Sequence, residues 1–221
     1  MRSAAASVVA LLSILGLGND SINFDAVKPG VAPPNWSFVS ALGAPRTGWE
    51  VRYDPSAPSR GNVLEQVNGT GKESESPVAI FDKIVCRDGD VSVKFKIEGR
   101  GKGRSAGIVW RYQDPGNYYL LDFSADEKSI AIYRVKDGHS QPLPIFADGK
   151  PVGLKFSHNI QLAQWYVAKV SFRGSKIRVL FGNRRLFDAD DSTIAGAGKT
   201  GVWTHGRTTA AFDDFRVEKK S

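Results

Sequence analysis

The stretch SAGIVWRYQDPGNYYLLDFSADEKSIAIYRVKDG, residues Ser105–Gly138, decides the fold. It contains runs rich in β-branched and aromatic residues, and such runs are typical of β-strands. The residues between them form turns, because Pro115 presets φ while Gly116 and Asn117 accept positive φ. The stretch therefore predicts a meander of antiparallel strands with turns between them. The predicted strands are Ala106–Tyr112, Tyr118–Phe123 and Ser129–Val135.

Similar signals continue on both sides of the meander. Val91–Glu98 alternates apolar and polar residues, as a half-buried strand does. The stretch 141–158 contains three prolines and is expected to be irregular, and Asp88-Gly89-Asp90 is expected to be a turn. Further strands are predicted at 36–39, 48–53, 63–67, 77–86, 165–173, 176–181, 184–188, 201–204 and 210–218.

The composition agrees with one all-β domain. The chain has 221 residues, is 41% hydrophobic and contains 23 Gly and 11 Pro, which suits many short strands and turns. Amphipathic helical periodicity is nearly absent after the N-terminus. About twelve to fourteen strands facing each other in antiparallel sheets satisfy this pattern. We therefore predict a single domain over residues 19–221, built as a two-sheet jelly-roll β-sandwich.

The N-terminal segment is predicted to be a secretory signal peptide. Met1–Gly18 begins with Arg2, continues with small and apolar residues, and ends in Gly16-Leu17-Gly18, which suits a cleavage site. The apolar run is too short for a comfortable transmembrane helix of about 20 residues. A secreted or periplasmic protein without stable membrane insertion is expected, and an uncleaved anchor or a mis-started reading frame is the alternative.

Charge and cysteine content exclude some classes of protein. The formal net charge is +7, but the basic residues are scattered rather than clustered, so no nucleic-acid partner is expected. Cys86 is the only cysteine, and a buried, inert thiol is expected there. His139, His158 and His205 lack the spacing of a zinc site.

The order and the amino-acid sequences of these segments resemble those of a known family. WRYQDPGNYYLL at 110–121 and GVWT followed by FDDFRV near the end are the most specific pieces. With FDAVKPGVAPPNW, NVLEQV and VSVKFKIEG, they resemble the secreted 3-keto-disaccharide hydrolase or family-16-like domains. That family lies in the concanavalin A-like lectin/glucanase superfamily, beside laminin G-like modules. The resemblance covers about Phe24 to Val217 and implies a concave sheet whose face and rim hold carbohydrate.

Classical glucanase chemistry is not expected. Family-16 glucanases carry an ExDxxE strand, and a retaining mechanism needs two carboxyl groups about 5 Å apart. This chain has no such strand, since Glu73-Ser74-Glu75 lies in a polar loop. No catalytic residues can therefore be assigned from a motif.

The candidate sugar-binding residues are aromatic or bidentate polar groups on the meander and near a later strand end. Rings stack on the C–H faces of sugars, while Arg, Asn and Asp pair with vicinal hydroxyls. Arg111 is expected to face the groove and Trp110 the core; the alternative places Arg111 and Arg134 in a structural network with Asp122 or Glu65. The full set of candidates is Arg111, Tyr112, Asp114, Asn117, Arg134, Trp203 and His205.

The resemblance also implies a structural calcium ion. Related sandwiches often hold Ca²⁺ on the convex side with an Asp of the last strand, and carboxylate oxygens suit that ion. In FDDFRV, Asp214 is the better match and Asp213 the neighbour. The alternative is a carboxylate bonded to turn amides.

The sequence offers no decisive acid/base pair, which favours a lectin-like carbohydrate-binding domain. The alternatives are a glycoside hydrolase of the keto-disaccharide type and a laminin G-like adhesion module. Two carboxyl groups, or a carboxyl group and a His, that converge in the groove with raised pKa would favour catalysis. A groove of aromatic residues and Arg alone would favour binding. A flat face would favour adhesion.

Overall fold

The computed structural model describes residues 19–40, 48–67, 76–98, 103–206 and 208–220. These residues form eighteen strands, and none of them forms a helix long and apolar enough to cross a membrane. The predicted signal peptide lies outside the described residues. The strands are β1 (Asn19–Ile22), β2 (Trp36–Ser40), β3 (Trp49–Tyr53), β4 (Asn62–Gln66), β5 (Pro77–Cys86), β6 (Asp88–Ile97), β7 (Ser105–Asp114), β8 (Asn117–Ser124), β9 (Ser129–Lys136), β10 (His139–Pro142), β11 (Ile145–Ala147), β12 (Lys150–Gly153), β13 (Phe156–Ser157), β14 (Tyr166–Arg173), β15 (Lys176–Phe181), β16 (Arg184–Asp190), β17 (Gly198–Thr204) and β18 (Ala210–Lys220).

The strands form two antiparallel sheets. The larger sheet has ten strands in the order β12-β11-β16-β15-β14-β6-β18-β4-β3, with β1 paired to β18. The smaller sheet has eight strands in the order β10-β9-β8-β7-β17-β5-β2, with β13 paired to β9. The all-β, two-sheet sandwich predicted from the sequence is confirmed.

The core lies between the inner faces of the two sheets. Phe95 of β6 meets Phe123 of β8 with ring centroids 4.7 Å apart, and Trp110 of β7 stacks on Tyr119 of β8 at 5.4 Å. Trp110 is fully buried, as predicted. The alternation of β6 is also confirmed, since its apolar set is buried and Ser92 and Lys94 face outward. These strands pack because each presents one apolar face, and burying it is the main favourable term in folding.

Two local predictions were wrong. Asp88-Gly89-Asp90 continues into β6 instead of turning, because these residues pair with the last residues of β18 and with β14. The stretch expected to be irregular contributes β10 to β13, which are two to four residues long. Pro142 lies in β10 and Pro151 in β12, and both are edge strands, where a proline can occur because an outward N–H needs no partner.

Cys86 ends β5 with only 1% of its surface exposed. Burial raises the pKa of its thiol, which keeps it in the unreactive protonated form. The predicted burial of the Cys86 thiol is confirmed.

Candidate functional site

A cavity of about 760 Å³ opens on the outer face of the smaller sheet. Its floor consists of nearly buried side chains, Tyr118, Leu120, Val135 and Trp203, with 3–6% exposure. Its rim carries more exposed polar groups. The rim includes Arg104, Asp126, Glu127, Ser140 and His205.

The floor follows from period-two alternation along β8 and β9. In β8, Tyr118, Leu120 and Asp122 point to the cavity, while the residues between them enter the core. In β9, Tyr133 pairs with Leu120, and Val135 pairs with Tyr118. Adjacent strands therefore place these side chains in rows on one face.

Gly107 of β7 makes the space in the middle of the floor. It lies between Asp122 of β8 and Trp203 of β17 in the cross-strand register. A Cβ atom at Gly107 would come within 2.3 Å of the Leu121 carbonyl oxygen and 3.0 Å of a Leu120 methyl group. A larger residue would displace β8, so glycine is required for this close approach.

Asp122 is the chemically distinctive group of the cavity. Its Oδ1 atom is buried and has no hydrogen-bond partner among the described residues. Burial raises the pKa of this carboxyl to about 7, and a hydrogen bond from Ser105 and the charge of Lys155 only partly oppose that rise. Near neutral pH the group therefore exists in both protonation states, so it can accept or donate a hydrogen bond.

The other charged groups of the rim are paired. Arg104 donates to Asp126 through its Nε atom at 2.7 Å and through its backbone N–H at 2.9 Å. Glu127 forms an ion pair with Lys155. Asp122 is thus the cavity carboxyl for which the described residues supply no ion pair.

Aromatic rings border the same space. The His205 and Trp203 rings lie 5.8 Å apart, and the Trp203 Nε1 atom is buried without a described acceptor. Burial raises the pKa of Tyr118 to about 12, and it also raises the pKa of Tyr133, with a further contribution from Asp122. Both phenols stay neutral and can serve as hydrogen-bonding groups.

Trp203 and His205, which the sequence placed near a strand end, both line the cavity. Tyr112 lies on the same face, 5.7 Å from the Tyr118 ring, next to the lining residues. Asp114 and Asn117 hold the β7–β8 turn instead, since the Asn117 amide donates to Asp114 at 2.9 Å. The structure thus brings two of the predicted residues into the cavity and a third beside it.

The expected position of Arg111 in the groove was wrong. A β-bulge after Trp110 interrupts the alternation, and Arg111 adopts φ +46°. Its guanidinium is buried, with 1% of the residue exposed, and donates to the carbonyl oxygens of Arg87, Gly174 and Ile194 at 2.8, 2.7 and 2.9 Å. Arg111 therefore joins separate loops at one end of the sandwich.

Arg134 also points away from the cavity. It donates to Asp191 at 2.6 Å and to Thr193 at 2.7 Å, and the same Asp191 accepts from the Tyr119 hydroxyl at 2.5 Å. The structural network suggested for the two arginines exists. Its carboxylates are Asp88 and Asp191, however, rather than Asp122 and Glu65.

Sequence reasoning missed Asp122, Tyr118 and Tyr133 as site residues. The signal was present in YYLLDF, where Tyr118, Leu120 and Asp122 share one face. A carboxyl on a face otherwise made of Tyr and Leu is unusual for a covered surface, and this pattern could have indicated a cavity.

The carboxylates of Asp213 and Asp214 are bonded to other groups of the protein. Asp213 is buried and accepts hydrogen bonds from the backbone N–H groups of Ser59 and Asp214 at 3.0 and 2.8 Å, while the Asp214 carboxylate binds the Lys94 ammonium at 2.6 Å. Calcium needs six to eight oxygen ligands. No group of three or more His, Cys, Asp or Glu in the described ranges could hold a metal ion. The bonds of Asp213 match the turn-amide alternative.

We expect that EDTA and added Ca²⁺ will both leave the melting temperature unchanged. A ligand that binds only the folded state raises stability by mass action, but Lys94 already occupies Asp214. Differential scanning fluorimetry of the whole chain in each condition measures this. A fall with EDTA that Ca²⁺ reverses would restore the calcium prediction.

No protein-family model matches the chain, and neither does any curated protein. Solved structures match its fold. A carbohydrate-binding module, CBM66 of Bacillus subtilis, gives a TM-score of 0.58 at 18% identity and covers 78% of this chain and 96% of that one. The cellulose-induced protein Cip1 gives a TM-score of 0.60 at 15% identity, and the match covers 91% of this chain and 97% of that one.

A Bacillus subtilis protein of unknown function with a galectin-like fold gives a TM-score of 0.57 at 11% identity, covering 84% of this chain and 89% of that one. At such identities the likeness concerns the fold. The chain is therefore a β-sandwich similar in fold to a galectin-like protein and a carbohydrate-binding module. The narrower resemblance to keto-disaccharide hydrolases has no family-level match.

Proposed function

We propose that this protein is a secreted carbohydrate-binding domain of the lectin type. The observation that carries the proposal is the cavity of about 760 Å³, with aromatic rings and an unpaired carboxyl on one sheet face. Its volume falls within the usual range for small-molecule sites, about 300–1,000 Å³. Secretion rests on the sequence of Met1–Gly18.

The chemistry of the lining suits a sugar. The faces of Trp203 and Tyr133 offer apolar surface to C–H groups, while their neighbours offer hydrogen bonds. Asp122 accepts from hydroxyl groups, and Ser140 and His205 at the rim can donate or accept. A ligand with one apolar face and hydroxyl groups along its edge uses both kinds of group at once.

The same features distinguish binding from adhesion through a flat face. Asp122 and Tyr133 are recessed between the rim loops, and Gly107 deepens the floor beside them. Small ligands reach such a recess more easily than a protein surface does. The neighbour named as a carbohydrate-binding module supports the same conclusion by analogy of fold.

The cavity also favours a second candidate, glycoside cleavage. Asp122, with its raised pKa, and His205 line one space, which is the combination that would indicate acid–base chemistry. In that hydrolysis Asp122 would donate a proton to the leaving glycosidic oxygen as its bond to the anomeric carbon breaks, and a water molecule would bond to that carbon and release a proton to solvent. The other two carboxylates of the described lining, Asp126 and Glu127, form ion pairs with Arg104 and Lys155.

We expect Tyr133→Ala and Trp203→Ala each to weaken glycan binding at least tenfold per folded molecule. Loss of a stacked ring removes buried apolar area and ring–sugar contact, and about 1.4 kcal/mol corresponds to a factor of ten. A glycan array identifies ligands of the wild type, and isothermal titration calorimetry then compares the variants. Tyr53→Ala is the matched control, since Tyr53 is 64% exposed on the larger sheet.

Unchanged affinity in both cavity variants would place binding elsewhere. Absence of any array signal for the folded wild type would contradict the binding function. Release of new reducing ends from bound oligosaccharides by the wild type would favour the second candidate.

A further inference from the structure

The charged groups that line the cavity differ in whether they have an ion-pair partner. Arg104 and Asp126 neutralise each other, and Lys155 neutralises Glu127 at the rim. Asp122 contributes a carboxyl at the floor with no ion-pair partner among the described residues. The lining therefore carries a negative potential whenever Asp122 is ionised, although the whole chain has a formal charge of +7.

One oxygen of the Asp122 carboxyl also lacks a hydrogen-bond donor among the described residues, although Ser105 donates to the group. This Oδ1 atom is buried and unpartnered, and buried acceptors of this kind are rare in folded proteins because the lost hydration is not replaced. Asp122 is only partly buried as a residue and lines the cavity, so a ligand hydroxyl beside it can donate to its carboxylate. A ligand carboxylate or sulfate has no proton to donate and would bring a second negative charge into a space of low dielectric.

The position of Asp122 brings a sugar bound in the cavity close to its carboxyl group. In the cross-strand register Gly107 lies between Asp122 and Trp203, so no side chain separates the carboxyl from the Trp ring. Tyr133 borders the carboxyl from β9, and its pKa responds to the charge of Asp122. A sugar stacked on either ring therefore lies beside the carboxyl.

We propose that Asp122 determines the ligand class of this cavity, so that it binds uncharged glycans through a hydroxyl donated to Asp122 and excludes glycans that carry a carboxylate or a sulfate there. This inference rests on the proposed carbohydrate-binding function and specifies its substrate class. It runs against the overall charge of the chain, which alone would favour acidic glycans.

The test uses paired oligosaccharides of equal length and linkage that end in glucose or glucuronate, galactose or galacturonate, and mannose or mannuronate. We expect at least one neutral member to bind and its acidic counterpart to bind at least tenfold more weakly. In Asp122→Asn the amide keeps an acceptor oxygen but removes the charge, so the neutral-to-acidic affinity ratio should fall toward one. Calorimetry at slightly alkaline pH gives both affinities.

Glu127→Gln is the matched control. It removes the same charge from the same cavity, but Glu127 is half-exposed and bound to Lys155, so the ratio should change much less than in Asp122→Asn. Thermal melting verifies that each variant is folded. Binding of acidic glycans to the basic outer surface would be screened by salt, whereas exclusion by a buried carboxyl would persist at high salt.

A pH series on the wild type provides a second readout without substitution. Lowering the pH through about 7 protonates Asp122, which should admit the acidic members while they remain ionised. Glu127, Lys155, Tyr133 and His205 also face this region, and all of them remain in Asp122→Asn. The pH response must therefore disappear in that variant if Asp122 causes it.

Acidic and neutral members that bind equally well, with both lost in Tyr133→Ala, would overturn the selectivity and leave carbohydrate binding intact. No binding by any member would overturn the proposed function, and the selectivity with it. A ratio that survives in Asp122→Asn would assign the exclusion to another group and would also contradict the inference.

Discussion

Replacing Arg111 with alanine should lower the free energy of unfolding by about 3–5 kcal/mol, the range found when one partner of a buried charged network is removed. Three carbonyl oxygens, from Arg87, Gly174 and Ile194, accept hydrogen bonds from this guanidinium. Each buried acceptor that loses its partner costs about 1–3 kcal/mol. The Phe172 ring, 5.7 Å from the guanidinium carbon, loses its cation as well.

For a domain of this size about 1 kcal/mol corresponds to about 2–4 °C in melting temperature. Urea unfolding and differential scanning calorimetry therefore both resolve the expected change. Arg178→Ala is the matched control, because Arg178 is a paired strand arginine with its side chain 55% exposed. Such surface pairs are worth about 0–1 kcal/mol.

The glycan affinity of folded Arg111→Ala should equal that of the wild type, because Arg111 lies outside the cavity lining. A tenfold loss of affinity without a loss of stability would return Arg111 to the binding site. Arg111→Gly separates side chain from backbone, since glycine tolerates the φ of +46° but supplies no hydrogen bonds.

Arg111 also shows why the sequence predicted the sheets better than the site. Alternation locates strands well, and it correctly placed Trp110 in the core. It fails at a bulge, where one added residue changes the face of the next side chain. The bulge depends on Gly198 of the neighbouring strand, where a Cβ would lie 2.4 Å from the Arg111 carbonyl carbon. This contact joins residues that are distant in sequence, so local sequence patterns could not predict it.

The cavity was predictable only in part for a similar reason. Trp203 and His205 could be placed near a strand end from the sequence, but their approach to Asp122 depends on the order β8-β7-β17. Gly107 leaves space only because its neighbours in that order carry large side chains. The sequence indicated which residue types suit a sugar site. The strand order that brings them together depends on the whole sandwich and could not be predicted from local sequence.

Asp122→Asn should stabilise the protein at pH values above about 7, by about 2–4 kcal/mol. The folded pKa of about 7 lies above the ordinary value of 3.8, so between these values the folded state holds a proton that the unfolded state releases. Stability contributed by this group is therefore fully present at low pH and is lost as the pH rises to about 7. Each pKa unit corresponds to about 1.4 kcal/mol, and the new amide N–H groups, which also need partners, reduce the gain.

The difference in unfolding free energy between Asp122→Asn and the wild type should therefore be small near pH 4 and grow until about pH 8. Urea unfolding at several pH values measures this difference, and the contributions of the other titrating groups cancel because both proteins carry them.

Asp126→Asn is a control of opposite sign. Although burial acts to raise the pKa of Asp126, hydrogen bonds from Arg104 hold that pKa below its usual range. Its removal should destabilise the protein above about pH 4 and matter less below. A constant difference for Asp122→Asn across this range would show that the carboxyl is not buried as described. A growing difference would mean that this carboxyl costs the fold stability at neutral pH, which is expected of a group retained for a ligand.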